Sequence, residues 1–540
     1  VSSRTAIQLC CLLLAWCGMS WAHWHWLGLN LQPFSYDQAH HLLLALDYQP
    51  VLVSPARWLD ILTVAIYYPP LYHCSLALWL FIAGPEMQMA ALVNLFWLLA
   101  LMLGTWLIGR RSVGGWAGAA AAALLALLPV CAGLTRDVLV EISLAATVVW
   151  SVYALLMSEN YSRPHWVLAL GALAGLGMLA KWSFVLYLAL PMAWAWWQGG
   201  RQGVARHRKS LWQALLIFLA LTLPWYLHTP RTLIKGMLGN LGPVPAAEGD
   251  PSVFSLGSLL YYPISLVNDQ IFLPLALLLA GGLVWGLIRG RAESKPLLVW
   301  LLGGWAVLIL LSNKDMRYLF PLLPAACLLS MGWLASLKPR ALAAGLSACA
   351  LGLAFLVSWG SGFAWGPLAR DYGLAYPGGV LRVCGLDTEY SRPPVRADWQ
   401  VPAILQAVKQ DWRESDRTPV LGVMASMRFF HKSGFLAWAR LRGLPVTTRS
   451  CLEPQCWPPG RPKEGLRRDL SRLDYLVTKT GGLGLEPAYG RACRMMEDMG
   501  ADLGVRLIDY PLPDGGRAIL WRLKRADRQT AVKSGKPGQS

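Results

Sequence analysis

Five short polar groups interrupt otherwise apolar text, and each is of a type that could do chemistry. The first is Phe34-Ser35-Tyr36-Asp37-Gln38-Ala39-His40-His41. An acid beside two histidines suits a general base or a metal ligand, although Asp before an apolar run is also an ordinary helix start. The second is Tyr67-Tyr68-Pro69-Pro70-Leu71-Tyr72, where the prolines open a helix and the tyrosines either wall a cleft or anchor an interface. In the third, Thr135-Arg136-Asp137 is followed by Glu141. Arg136 could neutralise a phosphate through paired hydrogen bonds, or the three could form structural ion pairs. Lys181 stands alone between two short apolar runs, as a functional cation or as a lysine reaching the membrane surface. The last is Asn313-Lys314-Asp315-Met316-Arg317-Tyr318, whose Lys and Arg could hold a phosphate at a helix start or form a plain charged loop. No P-loop, dinucleotide glycine fingerprint, GxSxG or HExxH occurs.

The elements that must position these groups follow from the charge distribution. The chain has 540 residues, 55% hydrophobic and 14% charged, with a net charge of +18. Residues 1–359 hold 20 Lys/Arg and 12 Asp/Glu, whereas 360–540 hold 28 and 18. The second stretch has the charge density of a soluble domain, roughly 25%, and the first falls far below it. A fully soluble enzyme, a single-anchor protein and a C-terminal part that is disordered throughout are thereby excluded. We expect a mostly α, polytopic helical bundle over 1–359, an extracytoplasmic α/β domain over 360–525 and a disordered tail over 526–540.

About 20 apolar residues cross a bilayer as a helix. Eleven spans are read, near 5–22, 87–108, 115–132, 139–157, 165–180, 183–198, 211–228, 271–288, 296–312, 317–337 and 341–358. Segment 69–83 is too short to cross and is taken as re-entrant or interfacial. The basic loops Arg110-Arg111, Arg201–Lys209, Arg289–Lys295 and Lys338–Arg340 then all face the cytoplasm. This sets the N-terminus inside and gathers Asp37, Arg136, Lys181 and Arg317 on the outer face. Ionisable groups at membrane depth are costly and mark function. The long connection 229–270 reads as a lid or binding loop.

In the C-terminal part, helices are expected at 399–412, 427–441 and 491–499, with strands at 419–424, 473–478, 505–510 and 518–523. Four of the eleven cysteines lie there. An oxidising compartment would permit the pairs Cys451–Cys456 and Cys384–Cys493.

In order, the marks are Asp37, Pro69–Tyr72, Arg136–Glu141, Gly175-Leu176-Gly177-Met178-Leu179-Ala180-Lys181 and Arg317–Pro324. Together they resemble the GT-C membrane glycosyltransferases, nearest the protein O-mannosyltransferase (glycosyltransferase family 39) and lipid A aminoarabinose transferase group. The resemblance covers roughly residues 1–358. It implies an inverting sugar transfer from a polyprenyl-phosphate donor to an acceptor at the outer face of the cytoplasmic membrane. By resemblance Asp37 is the catalytic base. Arg136, Lys181 and Arg317 are candidates for the donor phosphate, with Glu141, Asp137, His40 and Tyr68 in support.

Gln38 follows Asp37 where many relatives carry a second acid, so no metal ligands are assigned, and a divalent metal stays an option. Tyr68 precedes Pro69-Pro70 where aminoarabinose transferases carry Lys, which argues against that acceptor chemistry. The partners implied are the lipid-linked sugar, membrane lipid and a protein, lipid or glycan acceptor, with no nucleic acid. The alternatives are a glycan polymerase or ligase, and a transporter or flippase of lipid-linked sugars. A transporter should show an internal repeat and polar residues at the midplane, and neither is evident.

Overall fold

A computed structural model of the chain describes residues 3–540, except 85, 243–244, 246–248, 290–291, 378, 387, 415, 451–469, 483–492, 494–499, 501 and 525–540. The chain divides into two compact units. One comprises 1–28, 47–82 and 89–394, and the other 29–46, 83–88 and 395–540. Segments 29–46 and 83–88 thus group with the C-terminal residues.

The first unit is helical. Among the described residues, five helices are long and apolar enough to cross a membrane: Ser3–Leu29, Gln88–Ser112, Phe272–Arg289, Met316–Ala335 and Arg340–Gly360. Two bent pairs bring the number to as many as seven: Gly115–Leu127 with Pro129–Arg136, and Arg208–Tyr226 with Pro230–Leu241. Shorter apolar helices occupy Pro70–Ala83, Glu141–Met157, Pro164–Ala180 and Lys295–Ile309. The protein is a multi-pass membrane protein, and each of the eleven spans read from sequence coincides with helix. Connection 229–270 is not a structureless loop: it carries the helices Pro230–Leu241 and Leu256–Ser265, each with proline near or inside it.

Helix packing here relies on small residues, as expected where lipid supplies no hydrophobic contrast. At the crossing of Asn94–Ser112 with Gly115–Leu127, a Cβ added to Gly109 would lie 2.3 Å from Gly118 Cα. Gly109→Ala should therefore cost about 1–3 kcal/mol by overpacking, read as a lower thermal midpoint in detergent.

The first unit closes with an antiparallel hairpin, Tyr372–Tyr376 with Gly379–Cys384. The second unit holds a five-stranded sheet in the order Thr447–Ser450, Val420–Val423, Tyr475–Lys479, Arg517–Leu523, Gly504–Pro511. Its first two pairings are parallel and its last two antiparallel. Val401–Asp411 and Lys432–Leu441 are helices of the same unit. The single helix read over 427–441 is corrected: Ser426–Met427 and Phe430–His431 pair as short strands, and helix begins only at Lys432. His431 halts it there as N-cap, its Nδ1 accepting the Gly434 N–H at 3.3 Å.

The pairing Cys384–Cys493 is also corrected. Neither forms a disulfide among the described residues. Cys384 packs with Phe272 and Val357, while Cys493 Sγ lies 3.4 Å from the Met424 carbonyl. Each is therefore committed to a different core. Cys451, Cys456, most of 491–499 and the tail lie outside the described residues.

Candidate functional site

Helix ends, rather than helix faces, carry the charged groups of the first unit. Helix Pro129–Arg136 stops at Arg136, the chain is extended at Asp137, and the next helix opens on Glu141. Asn94 holds this corner, its Nδ2 donating to the Asp137 carbonyl at 2.7 Å. Lys181 follows the last residue of Pro164–Ala180 in an extended conformation (φ −157°, ψ 136°). A carboxylate at a helix N-terminus and an ammonium at a C-terminus are each favoured by the backbone dipoles. The two ends meet, and Lys181 Nζ donates to Glu141 Oε1 at 2.8 Å. Side-chain exposure is 12% for Lys181 and 3% for Glu141. The pair is therefore desolvated, and removing either charge strands the other.

A second pair adjoins it. Arg317 Nε lies 3.0 and 2.8 Å from the two Asp315 oxygens, and the Arg317 backbone N–H donates to Asp315 Oδ1 at 2.8 Å. Burial alone would raise the Asp315 carboxyl. The Arg317 guanidinium, with Lys181 adding to it, outweighs burial and holds it below the usual carboxylate range. Tyr318 links the pairs, its ring centroid 5.4 Å from Lys181 Nζ, and its carbonyl accepts Tyr187 OH at 2.9 Å. Glu141 Oε2 has no hydrogen-bond partner among the described residues. A buried carboxylate oxygen with an open lone pair can accept a hydrogen bond from a bound hydroxyl, and the adjacent cations can take up phosphate charge.

Arg136 is set differently. Its Cζ lies 4.6 Å from the Trp26 ring centroid and 4.9 Å from that of Trp359. Its Nε donates to the Ala132 carbonyl at 3.1 Å. A Cβ added to Gly362 would be 3.5 Å from both Nη atoms and 4.0 Å from Cζ. That is the in-plane position ahead of the guanidinium fork, so the fork faces the Gly362 backbone. Asp137 instead pairs with Arg392 at 3.6 Å, and Tyr390 packs on Gly133.

The sequence-derived residues fall into four places, three of them in the first unit. Glu141, Lys181 and Arg317 come together; Arg136 and Asp137 occupy the neighbouring corner; and Tyr68 lies in the aromatic group of Tyr67 and His73. Asp37 and His40 are exposed on the first turns of helix Tyr36–Leu52, within segment 29–46 of the other unit. Sequence reasoning missed Asp315 as a member of the charged cluster, although its motif was singled out, along with Tyr187, Tyr390 and Arg392. Arg392 had no local signal, since its partner stands some 250 residues earlier. Lys314 proved structural: its Nζ donates to the carbonyls of Leu308 and Ile309, capping a helix C-terminus. Among the described residues no three of His, Cys, Asp and Glu are grouped as metal ligands.

Comparison with known structures shows what the fold is similar to. ArnT from Cupriavidus metallidurans in the apo state aligns over 96% of this chain and 98% of its own, with TM-score 0.61 at 13% identity. The chain shares the fold of this protein. The same ArnT bound to undecaprenyl phosphate aligns with TM-score 0.57 at 12% identity, again over 96% and 98% of the chains. The Archaeoglobus fulgidus oligosaccharyltransferase in the apo form aligns over 87% of this chain and 69% of its own, with TM-score 0.51 at 13% identity. Residues 68–228 match the family model for dolichyl-phosphate-mannose-protein mannosyltransferase. No curated protein matches the chain. The region matched by the family model includes Tyr68, Arg136, Asp137, Glu141 and Lys181, but not Asp315 or Arg317.

Proposed function

We propose that the protein is a membrane glycosyltransferase that moves a sugar from a polyprenyl-phosphate donor to an acceptor hydroxyl or amine at the outer face of the cytoplasmic membrane. The observation that carries this reading is the buried Lys181–Glu141 pair beside Asp315–Arg317, inside a GT-C fold whose ArnT relative is described bound to undecaprenyl phosphate. The match of residues 68–228 to a family named for a dolichyl-phosphate-linked donor supports the same class.

In the proposed reaction Asp37 takes the proton of the acceptor as its oxygen or nitrogen attacks the anomeric carbon. The bond from that carbon to the phosphate oxygen breaks from the opposite face, which inverts the centre. The electron pair leaves on the lipid phosphate, whose growing charge Lys181 and Arg317 stabilise. Glu141 orients Lys181. Arg136, stacked between two indoles, and Asp137, paired with Arg392, hold the corner from which Glu141 projects. Tyr68 lines the donor side, and His40 lies one helical turn from Asp37. The C-terminal unit is assigned to the extracytoplasmic side.

The test is purified full-length protein in lipid discs, supplied with radiolabelled polyprenyl-phosphate sugars and a panel of protein, lipid and glycan acceptors. Transfer or slow hydrolysis of label is expected from the wild type. Asp37→Asn should lower the rate by about 10²–10⁴-fold, the worth of a positioned base. Label that crosses the bilayer with its phosphosugar bond intact would identify a flippase instead. Full activity in Asp37→Asn would remove the base assignment while leaving the donor class standing.

A further inference from the structure

The hairpin Tyr372–Tyr376 with Gly379–Cys384 has no role in the chemistry above, yet its composition is unusual for a water-exposed element. Alternation along a strand puts Tyr372, Leu374 and Tyr376 on one face. Cross-strand register adds Leu381, opposite Leu374. The three are 44%, 57% and 40% exposed, and Val380 on the other face is 49% exposed. A lone two-stranded hairpin is marginal in water, so such a face requires a cover.

Its root shows what that cover is. Cys384, the last residue of the hairpin, is buried in a cluster with Phe272 and Val357, with Leu368 packed against it. Phe272 is the first residue of the span Phe272–Arg289, and Val357 lies in the last turn of Arg340–Gly360. The hairpin therefore rises where two spans end. An aromatic belt marks the same level. Ring centroids run from Trp21 to His25 (5.6 Å), His25 to Phe363 (5.8 Å), Phe363 to Trp365 (5.8 Å) and Trp365 to Phe355 (6.0 Å). Trp21, Trp24 and Trp365 are exposed there. Exposed Trp and Tyr at span ends occupy the headgroup region of a bilayer. Seven residues after Trp365 the hairpin begins with Tyr372, preceded by Arg370 and by Asp371, whose carboxylate accepts the Leu386 N–H, and it carries Arg382; anionic headgroups attract the two arginines. The chain then returns to the site, with Tyr390 on Gly133 and Arg392 on Asp137.

We propose that this hairpin is a membrane-interface anchor, its Tyr372-Leu374-Tyr376 face immersed in the phospholipid leaflet on the Lys181 side of the bundle. It would fix the level of that site against the headgroups of its lipid-borne substrate. The anchor itself stands whether or not the proposed transfer reaction does.

The test uses full-length protein in phospholipid discs with a photo-crosslinking residue at one position. Leu374→p-benzoylphenylalanine is compared with Leu277→p-benzoylphenylalanine in an exposed span position and Val505→p-benzoylphenylalanine on the sheet of the other unit. On irradiation, position 374 should form phospholipid adducts like position 277, and about tenfold more than position 505, as an interfacial residue would. Adducts at 277 with none at 374 would overturn the proposal, as would a crosslink from 374 to a second protein chain in place of lipid. Should the 374 variant fail to insert, wild-type protein irradiated with a diazirine phospholipid gives the same reading. Labelled peptides spanning 372–382 uphold the anchor, and labelling confined to the spans overturns it.

Discussion

Lys181→Met is expected to abolish sugar transfer and to destabilise the protein at the same time. The lysine is the partner of a carboxylate with 3% side-chain exposure, so its loss leaves Glu141 charged in a dry site. Breaking a buried pair by removing one partner costs about 3–5 kcal/mol. Removal of one preorganised charge aimed at a developing anion lowers the turnover rate by about 10²–10³-fold. The two effects separate in the double variant Lys181→Met with Glu141→Gln. Taking away both charges relieves the stranded carboxylate, so the thermal midpoint should recover most of its loss while activity stays absent. Recovery of activity along with stability would mean that the pair is scaffolding, and that Arg317 alone serves the phosphate. The measurements are thermal unfolding in detergent and label transfer in discs on the same preparations.

The C-terminal unit should lose its hold on the Asp37 segment as the pH falls. His431 Nδ1 accepts the Gly434 N–H, which leaves the proton on Nε2, and Nε2 lies 3.1 Å from the Phe34 carbonyl. The same segment is held by Tyr36 OH at 2.7 Å from Ser426 Oγ, and by Val395 N–H donating to Asn30 Oδ1 at 3.0 Å. Burial lowers the His431 ring to about 4, the bond to Phe34 opposing the shift only in part.

The unfolded chain binds this proton near pH 6.5 and the folded unit only near 4. Stability from neutral His431 is thus complete above about 6.5 and falls as the pH drops toward 4. The full window is worth about 3 kcal/mol at 1.36 kcal/mol per pH unit. Hydrogen exchange of peptides covering 30–41 should accelerate between pH 6.5 and 4.5 beyond the intrinsic pH effect. In His431→Gln that excess should vanish, because an amide can donate to Phe34 without titrating. An unchanged pH dependence in the variant would assign the effect to another group.

Much of the bundle was legible because a bilayer imposes one rule: backbone groups must be satisfied within the segment. Long apolar runs therefore had to be helix, and the run near 115–132 is helix even though it bends by 58° at Pro129. Glu141 and Lys181 were visible for the same reason, as rare charges in apolar text. The C-terminal unit was less legible. Strands such as Tyr475–Lys479 show as apolar runs, but the start of helix Lys432–Leu441 depends on a histidine cap, and a cap is a contact rather than a periodicity. The hairpin at 372–384 escaped notice because its strands lack the polar alternation of a half-solvated sheet.

What the sequence determined by itself was the class of molecule, a polytopic helical body joined to an α/β part, and the short roster of charges isolated in apolar text. Only the tertiary structure decided how that roster divides. Glu141 joins Lys181 forty residues away, the local Asp315–Arg317 pair comes to lie beside them, Asp137 joins Arg392, and Arg136 enters an indole cage. Segment 29–46, with Asp37, groups with residues after 394. The physical reason is that a charge at membrane depth is tolerable only beside its complement. Which complement it meets is set by where helix ends converge in space, and no local spacing encodes that convergence.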